Sequence, residues 1–336
     1  MPPEIRIVGL GSHLPGPPIG CRQLAETLGV SAELLEQRTS IAWRHHAAQG
    51  QGPSDLAREA ASVALERAGL TVGEVGLIVF ATATPDVSFP GSACYLQEKL
   101  GAATIGALDV RAQSAGFLCS LELAASFVEQ GAAEGTDRYA RVMVAAGEVF
   151  SSGLDESPRG ADLAARLADG AAVAIVGRSE RGLRIGAIRW GGDGALADRF
   201  WCEFPASRHY PNRIGPEQFA EGRHYPRASL EEIAPTVREG VSSSIRAVLH
   251  EMAWAAGEVD VLVLDYVDPV LAREVGQDLG FASSRTVVPT AHFGHVMAAG
   301  LPIELDRLAA EGRLRGRIVV AAAGPGLAWG AAALES

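Results

Sequence analysis

The side chains best suited to covalent chemistry stand where apolar runs end. Ser114 lies between the strand-like GALDV (106–110) and a long apolar stretch, AGFLCSLELAASFVEQG (115–131). A side chain at that junction meets the free N–H groups and positive end of a helix, and Ala115 and Gly116 leave room for close approach. A serine N-cap is the ordinary use of such a residue, so Ser114 alone specifies no chemistry. Two further segments add to it. VDVLVLDYVDP (259–269) ends with Asp265 and Asp268 at a strand tip, and TAHFGHVMAAGLP (290–302) sets His292 and His295 ahead of a small-residue helix start. Acids and histidines at loop tips beyond strand ends are typical of α/β sites. A serine hydroxyl is a weak nucleophile until a base takes its proton, and a histidine oriented by an acid can be that base. Cys119, five residues after Ser114 and deeper in the helix, reads as core.

These residues need strands and helices to hold them. Candidate strands are 5–10, 75–83, 106–110, 141–147, 171–177, 184–190, 259–267, 317–324 and 329–334, with helical patterns between them such as 55–69. The repeated alternation of buried-strand and 3.6-residue patterns reads as α/β. There is an internal echo. Helix 55–69 leads into Gly73-Glu74-Val75-Gly76-Leu77-Ile78-Val79, and helix 242–256 leads into Gly257-Glu258-Val259-Asp260-Val261-Leu262-Val263. RVMVAAG (141–147) pairs more loosely with RIVVAAAG (317–324). Two similar α/β halves, 1–170 and 171–336, account for this. Within the second lies an irregular stretch, about 193–232, with Phe200, Trp201, Phe204, Tyr210, Phe219 and Tyr225, the tetrapeptide RHYP twice, and Arg208, Arg213, Arg223 and Arg227. Aromatics at this density read as a cap over a substrate cleft.

The chain has 336 residues, 48% of them apolar and 21% charged, with a net charge of −11. That is globular composition, long enough for a large core, and the charge is opposite to that of a general nucleic-acid binder. No unbroken apolar run of about 18 residues suggests a membrane span, and the start lacks a secretory pattern, so the expectation is a soluble cytoplasmic protein. Lys99 is the only lysine, which leaves no P-loop or Schiff-base lysine elsewhere. Four cysteines without CxxC spacing, and adjacent His45-His46 without i, i+4 spacing, suggest no metal site. Gly9-Leu10-Gly11 lacks a full dinucleotide fingerprint, so no bound cofactor is expected.

Taken together, LEQRTSIAWR (35–44), GLIVFATATPDVSFPGSA (76–93), LDVRAQSAGFL (108–118), LADGAAVAIV (167–176), DVLVLDYVDP (260–269), HFGHVMAAGLPIELD (292–306) and GPGLAWGAAAL (324–334) resemble the ketoacyl-ACP synthase III branch of the thiolase-like proteins. The resemblance spans nearly the whole chain. It implies a duplicated five-layer α-β-α-β-α architecture and a homodimer. It also implies where this sequence departs. Ser114 holds the position of the family's nucleophilic cysteine, Asp265 that of its histidine, and His295 that of its asparagine. The Cys-His-Asn set of a condensing enzyme becomes Ser114–His295–Asp265, a triad by role. An ionised Asp265 would repel the enolate of a decarboxylative condensation, since like charges in a low dielectric cost several kcal/mol.

The expectation is therefore an acyltransferase of natural-product biosynthesis. It would move an acyl group, aromatic if the loop is a guide, through an acyl-serine to a hydroxyl or amine of a sugar- or cyclitol-type acceptor. A starter-unit ketosynthase and a non-catalytic partner subunit are the alternatives. Ser114, Gly326 and His292 are candidates to stabilise the tetrahedral intermediate. Pro325 stands where the family has a second oxyanion N–H, and proline has none. Of the family's coenzyme A grip only Arg38 survives, with Leu34 and Ser152 in place of the tryptophan and second arginine. Trp43 or Trp201 could stack instead. Arg38 and Asp268 are the donor-binding candidates, and a carrier-protein pantetheine or coenzyme A is the expected thioester. Arg44 and the arginines of 208–227 are candidate contacts for an acidic carrier protein. Phe89 is the acyl-pocket candidate, reaching across a dimer.

Overall fold

In the computed structural model, which describes residues 4–102, 104–209, 211 and 213–336, the apolar runs become ten strands of one large sheet. Numbered within it, they are β1 (Ile5–His13), β2 (Leu77–Ala81), β3 (Gly106–Val110), β4 (Arg141–Glu148), β5 (Gly170–Arg178), β6 (Leu183–Gly192), β7 (Val261–Asp265), β8 (Thr286–Val287), β9 (Arg317–Gly324) and β10 (Ala328–Glu335). Their spatial order is β8-β7-β9-β10-β6-β1-β5-β4-β2-β3. Each half repeats one order, and among the described residues the halves meet edge to edge through two residue pairs, Arg6 with Arg184 and Ile7 with Leu183. β5 pairs with both β1 and β4. The boundary expected at 170 thus shifts to between Arg178 and Leu183.

Strand alternation builds the layers. In the first half, Leu77, Val79, Val142, Val144, Ala174 and Val176 face a central helix, Gly116–Glu134. Ile78, Phe80, Met143, Ala145, Val173 and Ile175 face an outer helix, Pro53–Ala68. The second half does the same. Val261, Val263, Ile318 and Val320 point to the centre, where Gly300–Ala310 lies beside the first central helix. Leu262, Leu264, Val319 and Ala321 point to the outer helix Leu230–Met252. The sequence is outer helix, half-sheet, two central helices, half-sheet, outer helix: five layers, as the resemblance implies. Strands buried on both faces explain why the runs are continuously apolar.

The echo is physical. Val72–Glu74 and Ala256–Glu258 are matching 3-10 turns, and in each the glutamate accepts a backbone N–H three residues back, at 2.8 Å. Boundaries differ from expectation in places. The helix expected at 242–256 runs from Leu230 to Met252. Its apolar face extends back through Val241, Val237 and Ile233, and that burial outweighs the hydrogen bond lost at Pro235. It stops because Ala253 is left-handed (φ 53°). The strand expected at 259–267 is confined to Val261–Asp265, leaving Tyr266–Asp268 as the tip. Among the described residues, no helix is long and apolar enough to cross a membrane.

The aromatic stretch folds over one end of the sheet. Phe200–Trp201 pairs with Arg227–Ala228 as a small ribbon, and Phe200 and Phe204 are buried. Phe219 remains exposed but stacks on His224 at 4.4 Å, and His224 packs at a tilt of 39° on Tyr225, ring centroids 4.0 Å apart. Tyr210, counted among these aromatics, lies outside the described residues. Arg223 pairs with Glu203 and lies over the Phe204 ring.

Candidate active site

Ser114 sits in a 3-10 turn, Gln113–Ala115, that opens the first central helix. It makes no capping bond to that helix. Its Oγ instead meets His295 Nε2 at 3.2 Å. The turn is entered through Gln113 in a left-handed conformation (φ 49°), which for a residue with a Cβ costs of order 1–3 kcal/mol. The second half repeats this turn as Met297–Ala299 before Gly300, with Met297 at φ 37°. The position matching Ser114 there is Ala298.

His295 is fixed by backbone. Its N–H donates to Arg166 O at 2.7 Å, and its carbonyl accepts from Ala168 at 3.1 Å, tying it to a segment of the first half. Asp265 ends β7, and its Oδ1 lies 3.4 Å from His295 Nδ1. Thr290 completes the group. Its hydroxyl donates to Asp265 Oδ1 at 2.6 Å and lies 3.3 Å from His295 Nδ1. An Nδ1–H would be shared between the carboxylate and this hydroxyl, leaving Nε2 free to accept from Ser114. Ser114, Asp265, Thr290 and His295 are all fully buried. Asp265 Oδ2 has no hydrogen-bond partner among the described residues. Two glycines make the space: a methyl on Gly300 would overlap Asp265 Oδ2, and one on Gly324 would overlap Ser114 Oγ and stand 2.9 Å from its Cβ.

A cavity of about 600 Å³ approaches this group, although Ser114, Asp265, Thr290 and His295 are not themselves in its wall. Gln113, Met297, Pro325 and Gly326 form part of its wall, so it closes on the residues bracketing Ser114 and His295. Phe150, Phe200, Trp201, His224 and Pro226 line it as well, and the aromatic stretch does cover it. Thr84 and Ala83 reach it from a loop held by Glu148. Burial pushes the Glu148 carboxyl up to about 7, against the hydrogen bonds it accepts from Thr84, Ala83 and Ala298. Burial likewise pushes the Cys119 thiol up to about 11, with Glu122 adding to the rise. That fits a core cysteine, since the thiolate is the reactive form.

Other expected site residues are placed elsewhere. His292 lies 3.5 Å from Glu304, in a different cavity lined by Arg273, Arg307 and Arg313, so it is not positioned to act on an intermediate at Ser114. Burial alone would raise Glu304; hydrogen bonds from His292 and Arg307 hold it lower. Asp268 caps the helix Pro269–Asp278, its Oδ1 accepting from Val270 at 2.9 Å, and it is not in the wall of the cavity that approaches Ser114. Arg44 is no surface contact. It is fully buried, donates to Ala165 O at 2.7 Å and faces Cys21 Sγ. Arg38 is exposed on a short helix apart from the cavity wall, and Phe89 is 81% exposed. Ser152 does line the cavity. The sequence reading missed Thr290, whose only signal was its place in the same segment as His295. It also missed Arg111 and Gln113 as cavity residues.

Two models of one family match: the 3-oxoacyl-[acyl-carrier-protein] synthase III model over residues 108–194 and its C-terminal model over 249–336. The chain is 32% identical to beta-ketoacyl-[acyl-carrier-protein] synthase III 3 of Streptomyces coelicolor, covering 98% of this chain and 96% of that one. It is 30% identical to beta-ketoacyl-[acyl-carrier-protein] synthase III of Rhizorhabdus wittichii, covering 98% of each. The crystal structure of 3-oxoacyl-[acyl-carrier-protein] synthase III from Aquifex aeolicus superposes with a TM-score of 0.85 at 28% identity, covering 99% of this chain and 100% of that one.

Proposed function

Because the chain belongs to the 3-oxoacyl-[acyl-carrier-protein] synthase III family yet aligns a serine, a histidine and an aspartate in one buried hydrogen-bonded chain, we propose that it is an acyltransferase working through an acyl-serine. The Ser114–His295–Asp265 chain carries this reading. Ser114 Oγ attacks the thioester carbonyl while His295 Nε2 takes its proton. The tetrahedral intermediate collapses, the C–S bond breaks, and the departing thiolate receives the proton from the imidazolium. An acceptor hydroxyl or amine then gives its proton to Nε2 and attacks the acyl carbonyl, and Ser114 leaves with the proton restored. Asp265 and Thr290 act through His295 by holding Nδ1 and stabilising the imidazolium. The N–H of Ser114 at the helix start, with a group near Gly326, would bind the oxyanion.

The donor in this reading is an acyl group on the pantetheine of an acyl carrier protein, which the relatives' names mention, or of coenzyme A. The acceptor is a small sugar- or cyclitol-type molecule of natural-product biosynthesis. Phe89, exposed beside the half-exposed Val87, suits a homodimer in which it closes the partner's acyl pocket. A starter-unit condensing reaction is the competing reading, favoured by the relatives' names and opposed by Asp265. Intact-protein mass spectrometry after incubation with acyl thioesters tests both. An adduct present in the wild type and absent in Ser114→Ala supports the acyl-serine. Release of that acyl group by alcohols or amines supports transfer, whereas carbon dioxide from malonyl thioester with loss of the adduct identifies condensation. No adduct from any donor would favour a non-catalytic partner subunit.

A further inference from the structure

We propose, building on the acyl-serine reading, that the acyl group is an aryl group carrying an oxygen substituent, recognised by Arg111 with Gln113. Arg111 directly follows β3 and is exposed on the cavity wall. Among the described residues its guanidinium has no hydrogen-bond or ion-pair partner, and neither has the carboxamide of Gln113. Of the other polar side chains of the cavity, Thr84 is engaged with Glu148, Asp86 Oδ1 with Ser54 and Ser152 with the Val149 carbonyl, while Asp86 Oδ2 and His224 Nδ1 are buried without a partner among the described residues. A guanidinium offers five donors and no acceptor, so the group it awaits is oxygen-rich. Phe150, Phe200 and Trp201 supply flat apolar walls in the same cavity, which suit a planar ring.

Reach fits a single ring. Three residues of extended chain span at most about 10 Å, which bounds the separation of Arg111 and Ser114. An acyl carbonyl on Ser114 and an oxygen at the far side of one aryl ring lie within that bound plus the length of the arginine. A plain aliphatic chain would cover Arg111 and Gln113 without giving them a partner, and buried unpaired donors are costly.

The test compares loading rates from benzoyl-coenzyme A and its three hydroxybenzoyl isomers, read by intact mass. The wild type should load at least one hydroxybenzoyl group about tenfold or more faster than benzoyl, as expected for a charge-assisted hydrogen bond. In Arg111→Ala that ratio should fall towards one, and Gln113→Ala, which keeps the cavity's charge, should lower it in the same direction. Circular dichroism checks that both variants fold. A wild-type ratio near one, or a ratio unchanged in Arg111→Ala, overturns this inference while leaving the acyl-serine intact. Failure of every thioester to load overturns the acyl-serine reading and this inference together.

Discussion

Replacing Asp265 by asparagine isolates what the carboxylate charge does. The substitution keeps the shape and leaves an oxygen able to accept from Thr290. When Ser114 attacks, a positive charge appears on His295, 3.4 Å from Asp265 Oδ1. At an effective dielectric of about 20, that pair is worth roughly 5 kcal/mol. Lost entirely from the transition state, it slows acylation by three to four decades. Two features decide whether the full loss is felt. The 3.4 Å separation is long for a charge-assisted bond, which works towards the lower figure. Thr290, 3.3 Å from Nδ1, still offers its hydroxyl, which holds the ring's orientation but supplies no charge. The expected outcome is a drop of about three decades in the acylation rate, with little change in stability. Rapid-quench intact mass spectrometry with an excess of thioester measures it directly. An Asp265→Asn enzyme that loads within about threefold of wild type would refute the reasoning, because His295 would then need no anion behind it. Thr290→Val separates orientation from charge: it should cost about 100-fold, the lower end of what a positioned general base contributes.

Gly324→Ala would push a methyl into Ser114, so acylation should be lost even where the protein folds, with a melting temperature lowered by an overpacking cost of about 1–3 kcal/mol. Native protein treated with a maleimide should be labelled at the exposed Cys94 but not at Cys119, whose buried thiol is pushed up to about 11; peptide mapping reads this. Glu148, raised by burial from 4.5 to about 7, binds its proton more tightly folded than unfolded. Its stabilising contribution, about 3 kcal/mol, is therefore full below pH 4.5 and lost as pH rises through about 7. Glu148→Gln should flatten the fall of melting temperature over that window; an unchanged slope would contradict the assignment.

Much of the architecture was legible because both periodicities are strong. The run RIVVAAAG became β9 with its expected ends, and the Gly73 and Gly257 echo marked equivalent turns in the two halves. What local pattern could not supply was context. Leu230–Ala234 belongs to a helix only because Ile233 has a sheet to pack on. Arg44 looks like a surface residue until its guanidinium is seen holding Ala165 O inside the protein. His292 and His295, three residues apart, are separated by Gly294 in a left-handed turn (φ 81°), which sends one ring to Glu304 and the other to Ser114. Spacing alone could not tell which histidine served. Thr290 was hidden for the opposite reason: its role depends on β7 bringing Asp265 alongside, a contact 25 residues distant in sequence.

The repeated turn at the head of each central helix has a consequence for how such a centre changes. Where one repeat has Ser114 the other has Ala298, and where the second has Asp265 at a strand end the first has Ala81. Neither repeat holds a complete set of reacting groups. The nucleophile and the pair that activates it belong to different copies of the repeated unit and share no segment of chain. Exchanging the acid and base leaves the nucleophile's own turn untouched, so a duplicated scaffold can alter one partner of its chemistry at a time.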